Sequence, residues 1–190
     1  MPDQFVSLNE FLECGYQRAK LLGENNTGPH LDTLRRYAAE GQHATEFGVA
    51  SMVTTWAFLL ACPAVVSYDV YPTERARLAW DWLQGSGRWE FRKGSTLEIE
   101  IAPTDLLFID TWHTYKQLSA ELARHAAKVR RYIALHDTDL FGAAGEDGSE
   151  PGLMRAVEEL VAGGRWKIVY HTPRACGLTV LERTEPCATT

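Results

Sequence analysis

The chain has 190 residues, of which 45% are hydrophobic, so its length is typical of one domain and its composition excludes an intrinsically disordered protein. The 19 lysines and arginines against 25 aspartates and glutamates give a net charge of -6, which argues against a general nucleic-acid-binding protein because binding to phosphates needs clustered cations. No apolar run reaches the roughly 18 residues that span a bilayer, and the first residues show no secretory signal pattern, so we expect a cytoplasmic protein without a membrane partner.

Two helices are predicted before the first strand. Apolar residues at helical spacing indicate a helix from Leu8 to Leu22, and a loop containing glycine and asparagine follows it. A second helix is predicted from Leu31 to Glu40. We therefore expect residues 1–42 to form a helical segment ahead of the main domain at residues 43–183, with a flexible tail at residues 184–190.

Strands and helices alternate through the main domain. The predicted strands are His43–Phe47, Ala64–Val70, Trp89–Arg92, Asp105–Asp110, Tyr132–His136, Trp166–His171 and Leu178–Arg183. The predicted helices are Ser51–Ala61, Thr73–Leu83, Tyr115–Val129 and Pro151–Val161. The short connection between the last two strands predicts an antiparallel hairpin, because a parallel crossover needs a longer segment. The expected fold is α/β: a doubly wound, seven-stranded, mostly parallel sheet with an antiparallel last strand.

Two other patterns predict no binding site. The four cysteines are widely spaced, which predicts reduced thiols rather than a zinc site or a disulfide framework; they are Cys14, Cys62, Cys176 and Cys187. The one basic run, from Arg124 to Arg131, has the periodicity of a solvated helix face.

Ligands of doubly wound sheets bind outside the carboxyl ends of the strands, and polar residues follow the first two strands. Gly48 would let the backbone turn tightly and approach a ligand, or would simply begin a helix. Asp69 is suited to accept hydrogen bonds from the hydroxyls of a ribose, although such an acid can also cap the next helix, where Thr73 is better placed. A complete G-x-G-x-x-G pattern is absent, which argues against a dinucleotide fingerprint.

Two later strands end in acids and imidazoles. Asp110 and His113 follow the fourth strand, and His113 suits the abstraction of a proton from a substrate hydroxyl unless it only begins a helix. His136 and Asp137 end the fifth strand, and Asp139 lies two residues beyond. The acids Asp110 and Asp137, with Asp139 as a further candidate, are suited to converge on Mg²⁺. The alternative is that Asp137 caps a turn and His136 packs on the sheet.

These residues together resemble the class I S-adenosylmethionine (SAM)-dependent methyltransferases. The segments that carry the resemblance are Glu46-Phe47-Gly48, Ser67-Tyr68-Asp69, Asp105 to Tyr115 and His136-Asp137-Thr138. The chain is most similar to a small bacterial group that includes macrocin-type sugar O-methyltransferases and cephalosporin-hydroxylase-like proteins. The likeness covers Thr45 to Arg183.

The resemblance implies a SAM-binding site and a reacting centre. Glu46, Gly48 and Ser51 would line the methionine side of the cofactor, Asp69 would bind its ribose, and Ser95 and Thr96 would lie near the adenine. Asp110 would lie near the reacting centre, with His113 as the general base and with Asp110 and Asp137 holding Mg²⁺. His136 occupies a place where some relatives carry a second metal-binding acid.

The expected activity is therefore methyl transfer from SAM to a hydroxyl of a small molecule, such as a sugar or a secondary metabolite. One alternative is a protein that binds an adenosyl ligand without catalysis, and another is a nucleotide-dependent enzyme that modifies sugars. The loop from Gly142 to Glu150 is a candidate lid. The first helix and the tryptophan-rich helix from Thr73 to Leu83 either form a homodimer face or cover the sheet.

Overall fold

The computed structural model describes residues 7–23, 26–83 and 85–185, so Cys187 and the predicted tail beyond residue 185 lie outside these residues. The helices are α1 (Leu8–Leu22), α2 (Leu31–Ala38), α3 (Val53–Ala61), α4 (Glu74–Leu83), α5 (Tyr115–His125) and α6 (Leu153–Ala162). The strands are β1 (His43–Phe47), β2 (Ala64–Asp69), β3 (Trp89–Lys93), β4 (Thr104–Ile109), β5 (Val129–His136), β6 (Trp166–Thr172) and β7 (Leu178–Arg183).

Within the described residues, seven strands form one sheet in the order β3-β2-β1-β4-β5-β7-β6. β1 pairs in parallel with β2 and β4, β2 pairs in parallel with β3, and β4 pairs in parallel with β5. Strand β7 runs antiparallel to both β5 and β6. The predicted doubly wound sheet with an antiparallel last strand is confirmed, and its switch point lies between β1 and β4.

The central strand β4 divides its side chains between two cores. Leu106 and Phe108 pack with residues of α2 and α3 on one face, whereas Leu107 and Ile109 pack with residues of α5 and α6 on the other. Successive side chains of a strand point to opposite faces, and a strand covered by helices on both faces is apolar throughout. This burial explains the continuous apolar run that identifies the strand in the sequence.

The predicted end of α5 and the predicted start of β5 are wrong by four and three residues, whereas the other predicted ends differ by at most two. The helix predicted to extend to Val129 ends at His125, a 3-10 turn follows, and β5 begins at Val129 rather than at Tyr132. Pairing of Val129 with Thr104 on β4 draws this segment into the sheet. The basic run therefore covers a helix end, a turn and a strand start instead of one helix face, and its periodicity was misleading because tertiary pairing decides the structure.

The cations of that run pair with acids from elsewhere in the chain. Arg130 Nη1 lies 3.4 Å from Asp105 Oδ1, and Arg131 Nη2 lies 2.7 Å from Glu40 Oε2. Surface pairs of this kind contribute little stability individually, but they neutralise the local positive charge. The interpretation that the run is not a nucleic-acid-binding patch remains a prediction.

Helix α1 packs on α3 and contacts the tryptophan-rich helix α4 within the same chain. Phe11 of α1 stacks on Trp82 of α4 at a centroid distance of 4.7 Å and meets Trp56 of α3 edge-on at 5.4 Å. Part of the apolar surface considered for a homodimer is thus used inside the molecule.

Among the described residues, no helix is long and apolar enough to cross a membrane.

Candidate functional site

Adjacent strands bring the predicted catalytic and metal-binding residues to one edge of the sheet. Ile109 at the end of β4 is paired with Leu135 near the end of β5. Asp110 therefore lies beside His136 and Asp137, because parallel strands present their carboxyl ends at the same edge. This placement follows from the register of two buried strands.

The side chains at this edge form a compact cluster. His113 Nε2 lies 2.8 Å from Asp137 Oδ2 and 3.2 Å from Asp110 Oδ1. One donor atom from each of Asp110, His113 and Asp137 lies within 4.8 Å of the other two, a spacing suited to a metal ion. Asp139 is exposed and is not part of this group. The structure thus brings together the predicted base and the two predicted metal-binding acids.

The charges in the cluster are strongly coupled. Burial lowers the pKa of His113, but hydrogen bonds to Asp110 and Asp137 outweigh it and raise that pKa to about 10. Burial also lowers the pKa of His136, but the carboxylates of Asp110 and Asp137, 3.6 Å and 3.1 Å from its Nδ1, attract the protonated ring and raise that pKa to about 9. Burial opposes ionisation of the two aspartates, yet the neighbouring imidazoles hold the pKa of each carboxyl below its usual value. At neutral pH the metal-free cluster contains two imidazolium ions and two carboxylates.

Glu146 and Phe141 hold the ring of His113 from its other side. Glu146 Oε2 lies 3.0 Å from His113 Nδ1, and the backbone N–H of Glu146 donates to the carbonyl of His113 at 2.9 Å. The ring of Phe141 stacks on the imidazole at a centroid distance of 5.0 Å and an interplanar angle of 12°. The sequence analysis did not identify Glu146, because it lies in a glycine-rich loop without periodicity. The acidic residues of that loop are the feature that could have pointed to it.

Glu46 is completely buried at the end of β1. Its carboxylate accepts hydrogen bonds from Thr54 at 2.6 Å, from Thr55 at 2.8 Å and from Ser67 at 2.6 Å. Burial raises the pKa of Glu46 to about 7, although these three hydroxyls favour the ionised form. The acid thus joins the start of α3 to β2.

Asp69 organises the loop between β1 and α3. Its Oδ2 accepts hydrogen bonds from the backbone N–H groups of Val49 at 2.9 Å and Ala50 at 3.1 Å, and its Oδ1 accepts one from Tyr71 at 3.1 Å. Ser51 is exposed in the same loop. Three of the roughly four acceptor positions of the carboxylate are therefore used by the backbone.

Gly48 permits a close approach between β1 and β4. Its φ is +84°, and a Cβ atom built there would lie 1.9 Å from the carbonyl oxygen of Asp110. The N–H of Asp110 donates to the carbonyl of Phe47 at 2.9 Å. The glycine is therefore needed where the loop after β1 passes the loop after β4.

The loop after β3 is tied to α5 by an acid that the sequence reasoning did not single out. Glu121 is buried and accepts hydrogen bonds from the hydroxyl of Thr96 and, at 2.9 Å, from that of Thr111. His125 Nε2 lies 2.7 Å from the carbonyl oxygen of Thr96. Ser95 accepts a hydrogen bond from Leu97 at 3.3 Å. Through its bonds to Glu121 and His125, Thr96 therefore fixes the loop after β3 against α5.

Two of the cavities among the described residues bear on the position of the site. A cleft of about 310 Å³ lies between α4 and β3 and is lined by Pro72, Ala76, Arg77, Trp80, Asp81 and Phe91, none of which belongs to the cluster. A second, about 10 Å³, lies beside His113, Glu121 and His136 and has room for one water molecule. We give the cluster more weight than the larger cleft because the titratable groups converge there.

No protein-family model matches the chain, and no curated protein matches it in sequence. Solved structures do match. An O-methyltransferase from Bacillus cereus in complex with S-adenosylhomocysteine (SAH) has a TM-score of 0.68 at 16% identity, over 96% of this chain and 94% of that one. An O-methyltransferase from Streptomyces achromogenes involved in tomaymycin synthesis, solved with SAM, has a TM-score of 0.69 at 18% identity, over 96% and 93%.

The N-methyltransferase NodS from Bradyrhizobium japonicum, in complex with SAH, has a TM-score of 0.63 at 14% identity, over 90% of this chain and 99% of that one. The chain therefore has the fold of SAM-dependent methyltransferases, as the sequence resemblance predicts. Because these matches include both O- and N-methyltransferases, the acceptor atom has to be argued from the site.

Proposed function

We propose that the protein is a SAM-dependent methyltransferase that acts on a hydroxyl of a small molecule, such as a sugar or a secondary metabolite. The observation that carries this proposal is the cluster of Asp110, His113 and Asp137 at the edge of a methyltransferase-type sheet. A hydroxyl must lose its proton when it is methylated, whereas a neutral amine attacks without prior proton removal. An imidazole between carboxylates therefore favours an oxygen acceptor over a nitrogen acceptor.

The cofactor would lie across the ends of β1 and β2. Gly48 and Ser51 would line its methionine side, with Glu46 buried behind them as the link between α3 and β2. Asp69 would bind the ribose, Ser95 and Thr96 would lie near the adenine, and Asp110 would lie near the sulfonium. Asp69 fits this role because it is half-buried at a strand end and its carboxylate acts only as a hydrogen-bond acceptor, as ribose hydroxyls require. Ribose hydroxyls bound there would replace one or more of the three backbone N–H groups that now donate hydrogen bonds to Asp69.

Asp110 and Asp137 would hold a divalent cation. Their oxygens meet at the cluster, and carboxylates are suitable ligands for such ions. When bound, the cation would contact the acceptor hydroxyl and lower its pKa. The two side chains also fix the position of the acceptor relative to the cofactor, which matters because the methyl group must be transferred in line.

His113 would take the proton of the acceptor hydroxyl. Its side chain is 20% exposed, so a substrate can reach the ring. In the metal-free cluster its pKa of about 10 leaves the ring protonated. The ring becomes a base once the charge of the two carboxylates is offset, and Glu146 then remains as the partner of Nδ1.

The first experiment is a calorimetric titration of the full chain with SAH, with and without Mg²⁺. We expect micromolar binding, weakened at least 10-fold in Asp69→Ala and unchanged in Glu158→Ala, an exposed acid on α6. Absence of SAH binding to the folded wild type would overturn the proposal.

Methyl transfer is tested with labelled SAM and a panel of sugars, catechols and other vicinal diols. On any acceptor that is methylated, we expect His113→Ala to lower kcat about 100-fold or more without changing SAH affinity. His43→Ala is the matched control, because His43 begins β1 at the opposite edge of the sheet. Turnover by His113→Ala at the wild-type rate would contradict the assignment of the base.

A further inference from the structure

The end of β5 carries a histidine inside the cluster. The imidazole of His136 is only 2% exposed, and neither of its ring nitrogens has a hydrogen-bond partner among residues 7–23, 26–83 and 85–185. Buried polar atoms are nearly always paired, so a nitrogen left in this state beside two acids indicates an absent partner. Beside two carboxylates, a metal ion is a suitable partner, because it displaces the ring proton and binds the lone pair of the neutral imidazole nitrogen.

The spacing of the donor atoms fits a cation. His136 Nδ1 lies 3.1 Å from Asp137 Oδ2 and 3.6 Å from Asp110 Oδ1, although the geometry forms no hydrogen bond. Ligand atoms that surround an ion at about 2.1 Å are roughly 3.0 Å apart in an octahedron and 3.4 Å apart in a tetrahedron. The three side chains therefore lie close to the arrangement of a bound ion.

We infer that His136 Nδ1 is a metal ligand together with Asp110 and Asp137, and that the ion is a borderline transition-metal cation of the Zn²⁺ class rather than Mg²⁺. This inference rests on the proposed function for the presence of a cation at the two aspartates. Imidazole ligands suit zinc, iron, cobalt and nickel, whereas Mg²⁺ prefers oxygen ligands and retains waters. A histidine in place of an acid thus changes the selectivity of the site.

His136 and His113 differ in what they can reach. His113 Nε2 also contacts both aspartates, but its side chain is partly exposed and Nδ1 is held by Glu146. The side chain of His136 is wholly enclosed, so it cannot contact a substrate. The accessible imidazole therefore remains the base, and the enclosed one completes the metal site.

The test uses metal-free full-length protein, titrated by calorimetry with Zn²⁺ and with Mg²⁺. We expect Zn²⁺ to bind at least 100-fold more tightly than Mg²⁺ to the wild type. His136→Gln should lose at least 10-fold in Zn²⁺ affinity, and His136→Glu should shift the preference towards Mg²⁺. His43→Gln is the control and should bind both ions as the wild type does.

Proton NMR of the Co²⁺-loaded protein identifies the ligand directly. A coordinated histidine gives an exchangeable N–H signal that the paramagnetic ion shifts far from the normal range. We expect such a signal in the wild type and in His113→Gln, and its loss in His136→Gln or, if that variant fails to fold, in His136→Asn.

Three outcomes would overturn the inference: no Zn²⁺ binding, unchanged Zn²⁺ affinity in folded His136→Gln, or loss of the shifted signal in His113→Gln instead. A parallel SAH titration separates this inference from the proposed function. Zn²⁺ binding through His136 without SAH binding would leave a metal site in a protein that is not a methyltransferase. SAH binding without a metal ligand at position 136 would overturn only the inference.

Discussion

Glu46 is an acid held entirely inside the protein, and its protonation contributes to stability. Because burial raises its pKa from 4.5 to about 7, the folded state binds this proton more strongly than the unfolded state does. The free energy of unfolding therefore falls as pH rises from about 5 to 7. Glu46→Gln should remove this contribution and be more stable than the wild type at pH 8, by on the order of 2 kcal/mol.

The measurement is urea denaturation of both proteins at pH 5 and pH 8. The wild-type minus variant difference isolates Glu46, because all other titrating groups are common to the two proteins. Equal pH dependence in both would show that Glu46 is ionised throughout. A variant that is less stable at both pH values would show instead that the amide cannot replace the carboxylate between Thr54, Thr55 and Ser67.

Glu146 is expected to act through His113 rather than on the substrate. Its carboxylate fixes the direction of Nδ1 and stabilises the imidazolium that forms when His113 accepts a proton. On any acceptor that is methylated, Glu146→Ala should lower kcat roughly 10- to 100-fold with little change in KM. Glu146→Gln keeps a hydrogen-bond acceptor but no charge, so it should recover part of that loss.

Glu158→Ala removes another exposed charge, outside the site, and should leave kcat unchanged. If Glu146→Ala changes KM and not kcat, the loop serves substrate binding instead. That result would favour the earlier interpretation of Gly142 to Glu150 as a lid.

Among the helices and strands, burial determines which features could be predicted from the sequence. The run from Leu106 to Ile109 identifies β4 because both faces of that strand are covered, and the acids behind β4 and β5 meet because parallel strands end together. The start of β5 at Val129 could not be predicted, since its pairing with Thr104 is a long-range contact.

The finer geometry of the site depends on contacts between segments distant in the chain. The hydrogen bond between His113 Nδ1 and Glu146 Oε2 joins residues 33 positions apart, and periodicity carries no information about it. Similarly, Asp69 could be identified as a ligand-binding acid by its position, but its bonds to the N–H groups of Val49 and Ala50 depend on the loop conformation. Position at a strand end is thus predictable, and hydrogen-bond partners are not.

The junction between β1 and β4 depends on Gly48. Gly48→Ala should destabilise the protein by about 3 kcal/mol, because the new methyl group would overlap the Asp110 carbonyl in addition to requiring a positive φ. Gly164→Ala is the matched control: its φ is +79° and no atom lies within 4 Å of the added carbon. The control should lose only about 1 kcal/mol.

Chemical denaturation of the two variants gives the cost of the overlap as the difference between them. Equal losses in both would mean that the loop after β4 moves away without cost. Since Asp110 is in that loop, SAH binding should weaken in Gly48→Ala and remain unchanged in Gly164→Ala.

For the whole molecule, the buried cluster makes stability depend on pH in the alkaline direction. The pKa values of His113 and His136 are raised from 6.5 to about 10 and about 9, so between pH 7 and 9 the folded state retains protons that the unfolded state has lost. Stability contributed by these two groups is fully present below pH 6.5 and is lost as pH rises through their folded pKa values. The metal-free protein should therefore become less stable from pH 7 to 9, by on the order of 2 kcal/mol or roughly 5 °C in Tm.

Between pH 7 and 9 the titration of the cluster can be distinguished from that of the other groups. Glu46 titrates mainly below it, and the raised pKa values of Tyr16 and Tyr132, about 12, lie above it. Thermal unfolding in the presence of a chelator measures the fall in Tm from pH 7 to 9, and His113→Gln should reduce this fall by removing one of the two protons.

With Zn²⁺ bound, the carboxylates no longer hold protons on the imidazoles, so the fall in Tm should largely disappear. A Tm that is constant from pH 7 to 9 in the chelated wild type would show that both histidines are neutral in the folded state, and the charge-paired cluster would then be wrong.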